Sequence, residues 1–169
     1  MTFGGEQPAG PRTPITILSL SPGVEDHQVL AEFFPSPEWT VLAADCLPPA
    51  VSSFQQNEIA VVVCERDLAQ ASWVDVLGQV QLWPNPPSLI VTSRFADNIF
   101  WVEALNLGAW DVLAKPLARR ELVRSVKSAW EHRQNRLRSG AESGAVPGSA
   151  HPHSGPQCVR KVGSSSAGF

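Results

Sequence analysis

The run IAVVVCERDL at residues 59–68 constrains the fold more than any other stretch of the chain. From Ile59 to Cys64 every residue is of a kind that packs indoors, and charge then begins at once with Glu65, Arg66 and Asp67. An unbroken β-branched run has no polar face to offer water. It therefore reads as a central strand covered on both sides, which implies a mostly parallel sheet between layers of helix. Ligands and chemistry gather at the carboxyl ends of strands in such sheets, so Glu65 stands where a functional group is expected.

The rest of the chain can be read around that strand. A first strand at 15–20 (ITILSL) stops at Ser21, Pro22 and Gly23, a loop signal. The segment 25–34 follows as a helix with Leu30, Phe33 and Phe34 on one face, and Glu25 and Asp26 complement the dipole of its first turn. A second strand at 39–44 (WTVLAA) leads to Pro48 and Pro49, which suit only the opening turn of a short helix carrying Val51 and Phe54. After the central strand, Ser72 begins a capping box and Trp73, Val76, Leu77 and Val80 recur at helical spacing. The prolines of 83–87 require a loop, and SLIVT at 88–92 is the fourth strand. Asp97 caps a helix to Leu107, and Gly108 ends it in the left-handed conformation that glycine adopts cheaply. DVLA at 111–114 is the fifth strand, stopped by Lys115 and Pro116. Leu122, Val126, Ala129 and Trp130 then mark a last amphipathic helix to about Arg138.

Five strands alternating with five helices predict right-handed βαβ crossovers and a three-layer, doubly wound parallel sheet. The expected organisation is a flexible leader over 1–13, one α/β domain over 14–138 and a disordered tail over 139–169, where Ser, Gly, Pro and Ala dominate.

Composition narrows the function. A chain of 169 residues with a net charge of -3 carries no basic, aromatic-laced footprint, so nucleic acid is not an expected partner. The Gly/Pro-rich start and strand-length apolar runs argue against a signal peptide or membrane span and for a cytoplasmic protein. Cys46, Cys64 and Cys158 are too far apart for a zinc site or a disulfide framework, and Cys64 reads as a small buried residue. His27 reads as solvated. His151 and His153, in HPH, are weak evidence for a metal, and no metal or cofactor is expected. Lys115 or Cys64 could serve a small α/β enzyme, since a buried lysine can become a base or nucleophile. However, no GxSxG, GxGxxG or Walker loop is present, so the domain is not expected to be an enzyme.

The order and spacing of these elements resemble the receiver domain of two-component response regulators over about residues 14–134. The segment VVVC-E-R-D-L lies over the family's phosphorylated aspartate, which falls on Glu65. Thr92 matches the family's hydroxyl residue after the fourth strand, and Lys115-Pro116 matches its Lys-Pro after the fifth. The resemblance implies a flavodoxin-like fold with sheet order 2-1-3-4-5. The departures point to a degenerate, pseudo-receiver type. The family's magnesium-binding acidic pair falls on Ser21 and Pro22, which supply no carboxylate, and its switch aromatic is Val112. Glu25 and Asp26 lie further on, in the helix, and read as poor substitutes. Phosphoryl transfer relies on that metal to neutralise charge. Glu65 is thus expected to pair with Lys115 and to act as a built-in mimic of phosphoaspartate, its extra methylene carrying the charge outward.

The second half of the chain is crowded with rings. Phe100 and Trp101 are adjacent, and one helix cannot bury both equally. Trp73, Trp83, Trp110 and Trp130 could simply fill the core. By resemblance, Phe100, Trp101, Trp110, Arg119, Arg120 and Arg124 fall on the face that receivers use for partners. The expected function is a stand-alone, phosphorylation-independent interaction module in signal transduction. Its expected partners are other signalling proteins, a histidine kinase or a second copy. The alternatives are an atypical response regulator that a histidine kinase still phosphorylates, and a small enzyme.

Overall fold

The computed structural model describes residues 13–143. The leader up to residue 12, the tail from 144, and with it His151, His153 and Cys158, lie outside the described residues.

Strands and helices alternate as the periodicity predicts: β1 (Ile15–Leu20), α1 (Val24–Phe33), β2 (Trp39–Ala44), α2 (Leu47–Gln56), β3 (Ile59–Glu65), α3 (Trp73–Gln81), β4 (Ser88–Ser93), α4 (Asn98–Leu107), β5 (Asp111–Ala114) and α5 (Arg119–Ser143). The strands form one parallel sheet in the order β2-β1-β3-β4-β5. The helix ends have the expected chemistry. Asp97 accepts a hydrogen bond from the Phe100 N–H at 2.8 Å, and Gly108 takes φ 116° to end α4. Asp75 accepts the Ser72 N–H at 2.7 Å to open α3. The last helix continues to Ser143, past the Arg138 expected.

Alternation along β3 divides the core in two. Val62 and Cys64 join Leu18, Leu20, Leu89 and Val91 beneath Phe54, Val76 and Phe100. Val61 and Val63 join Ile17 and Ile90 beneath Leu30 of α1 and Leu122, Val126 and Ala129 of α5. Both sets are buried, which is why β3 has no polar position before its end. The same period-two alternation gives Glu65 the parity of Val61 and Val63, the side covered by α1 and α5. That parity decides which helix can reach it.

Candidate functional site

Three loops converge at the carboxyl edge of the sheet. Glu65 ends β3 opposite Thr92 of β4. Lys115 follows β5, its N–H bonded to the Ser93 carbonyl at 2.9 Å, and its peptide to Pro116 is cis. Ser21 follows β1 and is buried, its N–H bonded to the Ala44 carbonyl at 3.0 Å. Together with Pro22, Asp26 and Pro116 these residues line an open pocket of about 680 Å³.

The Lys115 ammonium bridges two carboxylates, Glu65 and Asp26. The Glu65 pairing is the one expected. The Asp26 pairing corrects the sequence reading, which left that residue on α1 as a poor substitute for a missing ligand. Asp26 is in the first turn of α1, the helix that covers the Glu65 side of the sheet, so its side chain reaches inward. The Ser21 hydroxyl donates to it, and that hydroxyl also accepts the Gly23 N–H at 3.1 Å. The lysine and both acids are mostly buried, with side chains 14%, 14% and 20% exposed. Burial pushes the Lys115 pKa down, but the hydrogen bonds to Asp26 and Glu65, and then their charges, more than offset it, so the pKa stands above the ordinary lysine value. This amine is held charged, the opposite of what a nucleophilic or basic lysine needs.

The residues do not fit a divalent cation of the kind the family binds. No group of three or more metal-ligating side chains exists among the described residues, and of the four acidic residues lining the pocket, Glu25, Asp26, Glu65 and Asp67, two are taken up by an ammonium. Thr92 turns from the pocket, its hydroxyl donating to the Cys64 carbonyl at 3.3 Å. Cys64 is fully buried, and desolvation first, then the Glu65 charge, pushes its thiol well above the usual range. It does not line the pocket with Lys115. His27 also departs from expectation. It is half-buried, and its Nδ1 shares a 2.7 Å hydrogen bond with the buried Ser19 hydroxyl, because the same α1 face that delivers Asp26 packs on β1.

The expected interaction face does not hold together as one surface. Phe100 is core: it meets Trp73 edge-on at 5.8 Å, and the Arg66 guanidinium covers its ring at 4.2 Å. Trp101 is 45% exposed, its indole donating to Asp111 at 3.4 Å. Trp110 is half-buried against His132 of α5, and Arg119 lies over Phe33 of α1, away from α4. Arg120 and Arg124 are exposed. The residues missed are Phe95, Ile99 and Val102, which are 77%, 80% and 51% exposed. For Ile99 and Val102 the available signal was the composition of α4, which has more apolar residues than one covered face can hold.

The comparisons with known proteins agree with this architecture. The family model of the response regulator receiver domain matches residues 24–127, more than half of the chain. The chain belongs to that family, the receiver domains of two-component response regulators. It is similar to the sensory transduction protein RegX3 of Mycolicibacterium smegmatis, 28% identical over 99 residues, which are 59% of this chain and 43% of that protein. It is also similar to the transcriptional regulatory protein KdpE of Mycobacterium tuberculosis, 28% identical over 91 residues, 54% of this chain and 40% of that protein. The chain therefore spans less than half the length of these curated relatives. Among solved structures, the signal receiver domain of an HD domain-containing protein from Pseudomonas fluorescens superposes with a TM-score of 0.68 at 21% identity, covering 79% of this chain and 98% of that one. The chemotaxis response regulator CheY4 of Vibrio cholerae gives 0.62 at 13% identity, covering 69% and 99%. These likenesses show the flavodoxin-like receiver fold. No helix among the described residues is long and apolar enough to cross a membrane.

Proposed function

We propose that this receiver domain is a phosphorylation-independent protein interaction module, acting in the cytoplasm through contacts with other signalling proteins. The observation that carries the reading is the Lys115 ammonium clamped between Glu65 and Asp26. Its charge satisfies the acids that would otherwise attract a cation, and the family's acidic pair is replaced by Ser21 and Pro22. Glu65 then stays tied to its lysine, and the pocket keeps one state. The exposed apolar residues Phe95, Ile99, Trp101 and Val102, on and just before α4, support docking as the output, since exposed apolar area marks partner sites more often than chemistry. A histidine kinase or a second copy of the chain would fit it.

Mass spectrometry after incubation with acetyl phosphate and magnesium tests the first part. No adduct is expected, and a stoichiometric phosphoryl group would refute the fixed state. A second reading, a regulator still phosphorylated by a histidine kinase, draws on Asp26, which brings a second carboxylate to Glu65. The same measurement separates the two. The partner surface is tested by pull-down with Trp101→Ala, which is expected to lose the bound protein while remaining folded.

A further inference from the structure

Arg133 is only 2% exposed, although it lies in the charged second half of α5. The helix starts at the loop after Lys115 and runs back along the sheet. At 1.5 Å per residue Arg133 is about 21 Å along the axis from Arg119 and arrives at the opposite edge, where β3 and β4 begin. Its guanidinium offers five N–H donors. Two of its nitrogens reach Glu58 Oε1 at 3.4 Å and one reaches the Asn85 carbonyl at 3.3 Å, while Nε has no partner among the described residues. Charge-assisted pairs normally close to about 2.7–2.9 Å, so these contacts are loose. Glu58 is 80% exposed and spends most of its charge on water. The molecule has buried a cation here and left it underpaired.

Arg133 lines a cavity of about 270 Å³, whose apolar walls are Phe54, Ile59, Trp83, Pro84 and Pro87 and whose other polar residues are Asn57, Glu58 and Asn85. The Phe54 and Trp83 rings are 6.1 Å apart. The proline-rich wall is held in place independently of any ligand, because Arg136 donates to the Pro86 carbonyl at 2.9 Å and Arg133 to Asn85. A few polar groups in an apolar recess of this kind are the usual makings of a small-molecule site, although about 300–1,000 Å³ is the common range, so the occupant must be small.

We propose that this recess binds a small organic carboxylate with a flat apolar body. The planar fork of a guanidinium matches a carboxylate edge-on, and the ligand's apolar part would replace water between ring and proline. A phosphate dianion fits less well. Its extra charge would face the Glu58 carboxylate. The site is at the far edge of the sheet from Glu65 and does not depend on how that pocket works.

The test is a titration of the full chain, labelled with nitrogen-15, following the Trp83 indole N–H and the Arg133 Nε–H. Benzoate and indole-3-acetate are the probes, with benzamide and inorganic phosphate as controls. Both carboxylates are expected to shift the two signals saturably. Benzamide should bind about tenfold more weakly or worse, as the loss of a charge-assisted pair requires. Glu58→Gln, a change on an exposed side chain, should tighten benzoate binding several-fold by freeing the guanidinium, and Arg133→Met should abolish it. If Arg133→Met does not fold, Trp83→Leu keeps the cation and removes a wall, and should weaken benzoate several-fold. The proposal is overturned by no saturation at these two signals, by benzamide binding as well as benzoate, by phosphate binding more tightly, or by unchanged affinity in Glu58→Gln or Trp83→Leu.

Discussion

Lys115 and Arg133 are cations sheltered at opposite edges of one sheet, and they are matched very differently. At the carboxyl edge the ammonium has two carboxylates in direct contact, one from β3 and one from α1. At the amino edge the guanidinium has one distant carboxylate that is mostly in water, a backbone carbonyl, and a nitrogen without a partner among the described residues. A mostly buried charge loses several kcal/mol of hydration, which only close partners return. The first site has returned it from within, leaving a closed arrangement. The second has not, and remains open to an outside anion. The difference shows that burial of a charge does not itself say whether a site is structural; the count and closeness of its partners do.

Substitution of each cation by an apolar side chain of similar length is the direct way to break this contrast. Lys115→Met leaves Glu65 and Asp26 facing each other without a counter-charge. The expected loss of stability is about 2–3 kcal/mol, below the range for a fully buried pair because these side chains keep some exposure. Urea unfolding measures it, and a loss below about 0.5 kcal/mol would mean that the clamp is no stronger than a surface ion pair.

A pH series sharpens the same point with a smaller signal. Because the Lys115 pKa is raised on folding, its contribution is present in full below the unfolded-state value of about 10.4 and is lost as the pH rises through the higher folded value. The stability difference between the wild type and Lys115→Met should therefore stay constant from neutrality upward and shrink only in strong alkali. A difference that fell between pH 7 and pH 9 would contradict a raised pKa.

The smallest effect is expected at the other edge. Arg133→Met removes an underpaired cation and leaves behind only an exposed glutamate and a carbonyl. Its unfolding free energy should stay within about 1 kcal/mol of the wild type, with a gain as acceptable as a loss, since replacing poorly paired buried ions by apolar groups is often neutral or stabilising. A loss as large as that of Lys115→Met would erase the distinction between the two edges.

Much of the fold could be read directly from residue order. The apolar run of β3, the cap at Asp97 and the left-handed stop at Gly108 are local signals, and each holds in the structure. The approach of Lys115 to Glu65 was legible for a related reason, since both end parallel strands at the same edge. Asp26 was missed although its signal was present. Period-two counting assigns Glu65 to the α1 side, but Asp26 is read from sequence only as a complement to the helix dipole and as a poor substitute for a missing ligand, not as a partner for Lys115. The adjacent rings of Phe100 and Trp101 required that one be more exposed, yet nothing local said which. Trp73 from α3 and Arg66 from the loop after β3 made that choice by packing on Phe100.

The sequence by itself determined the alternation of elements, the helix caps, the burial of β3 and the carboxylate at its end, because these depend on periodicity and on neighbours a few residues apart. Only the tertiary structure decided that Asp26 shares Lys115 with Glu65, that His27 bonds to Ser19, and that Arg133 goes under cover at the far edge. Those outcomes depend on distances between side chains on different elements. Such distances are set by how helices lie across a sheet, and no spacing along the chain records them.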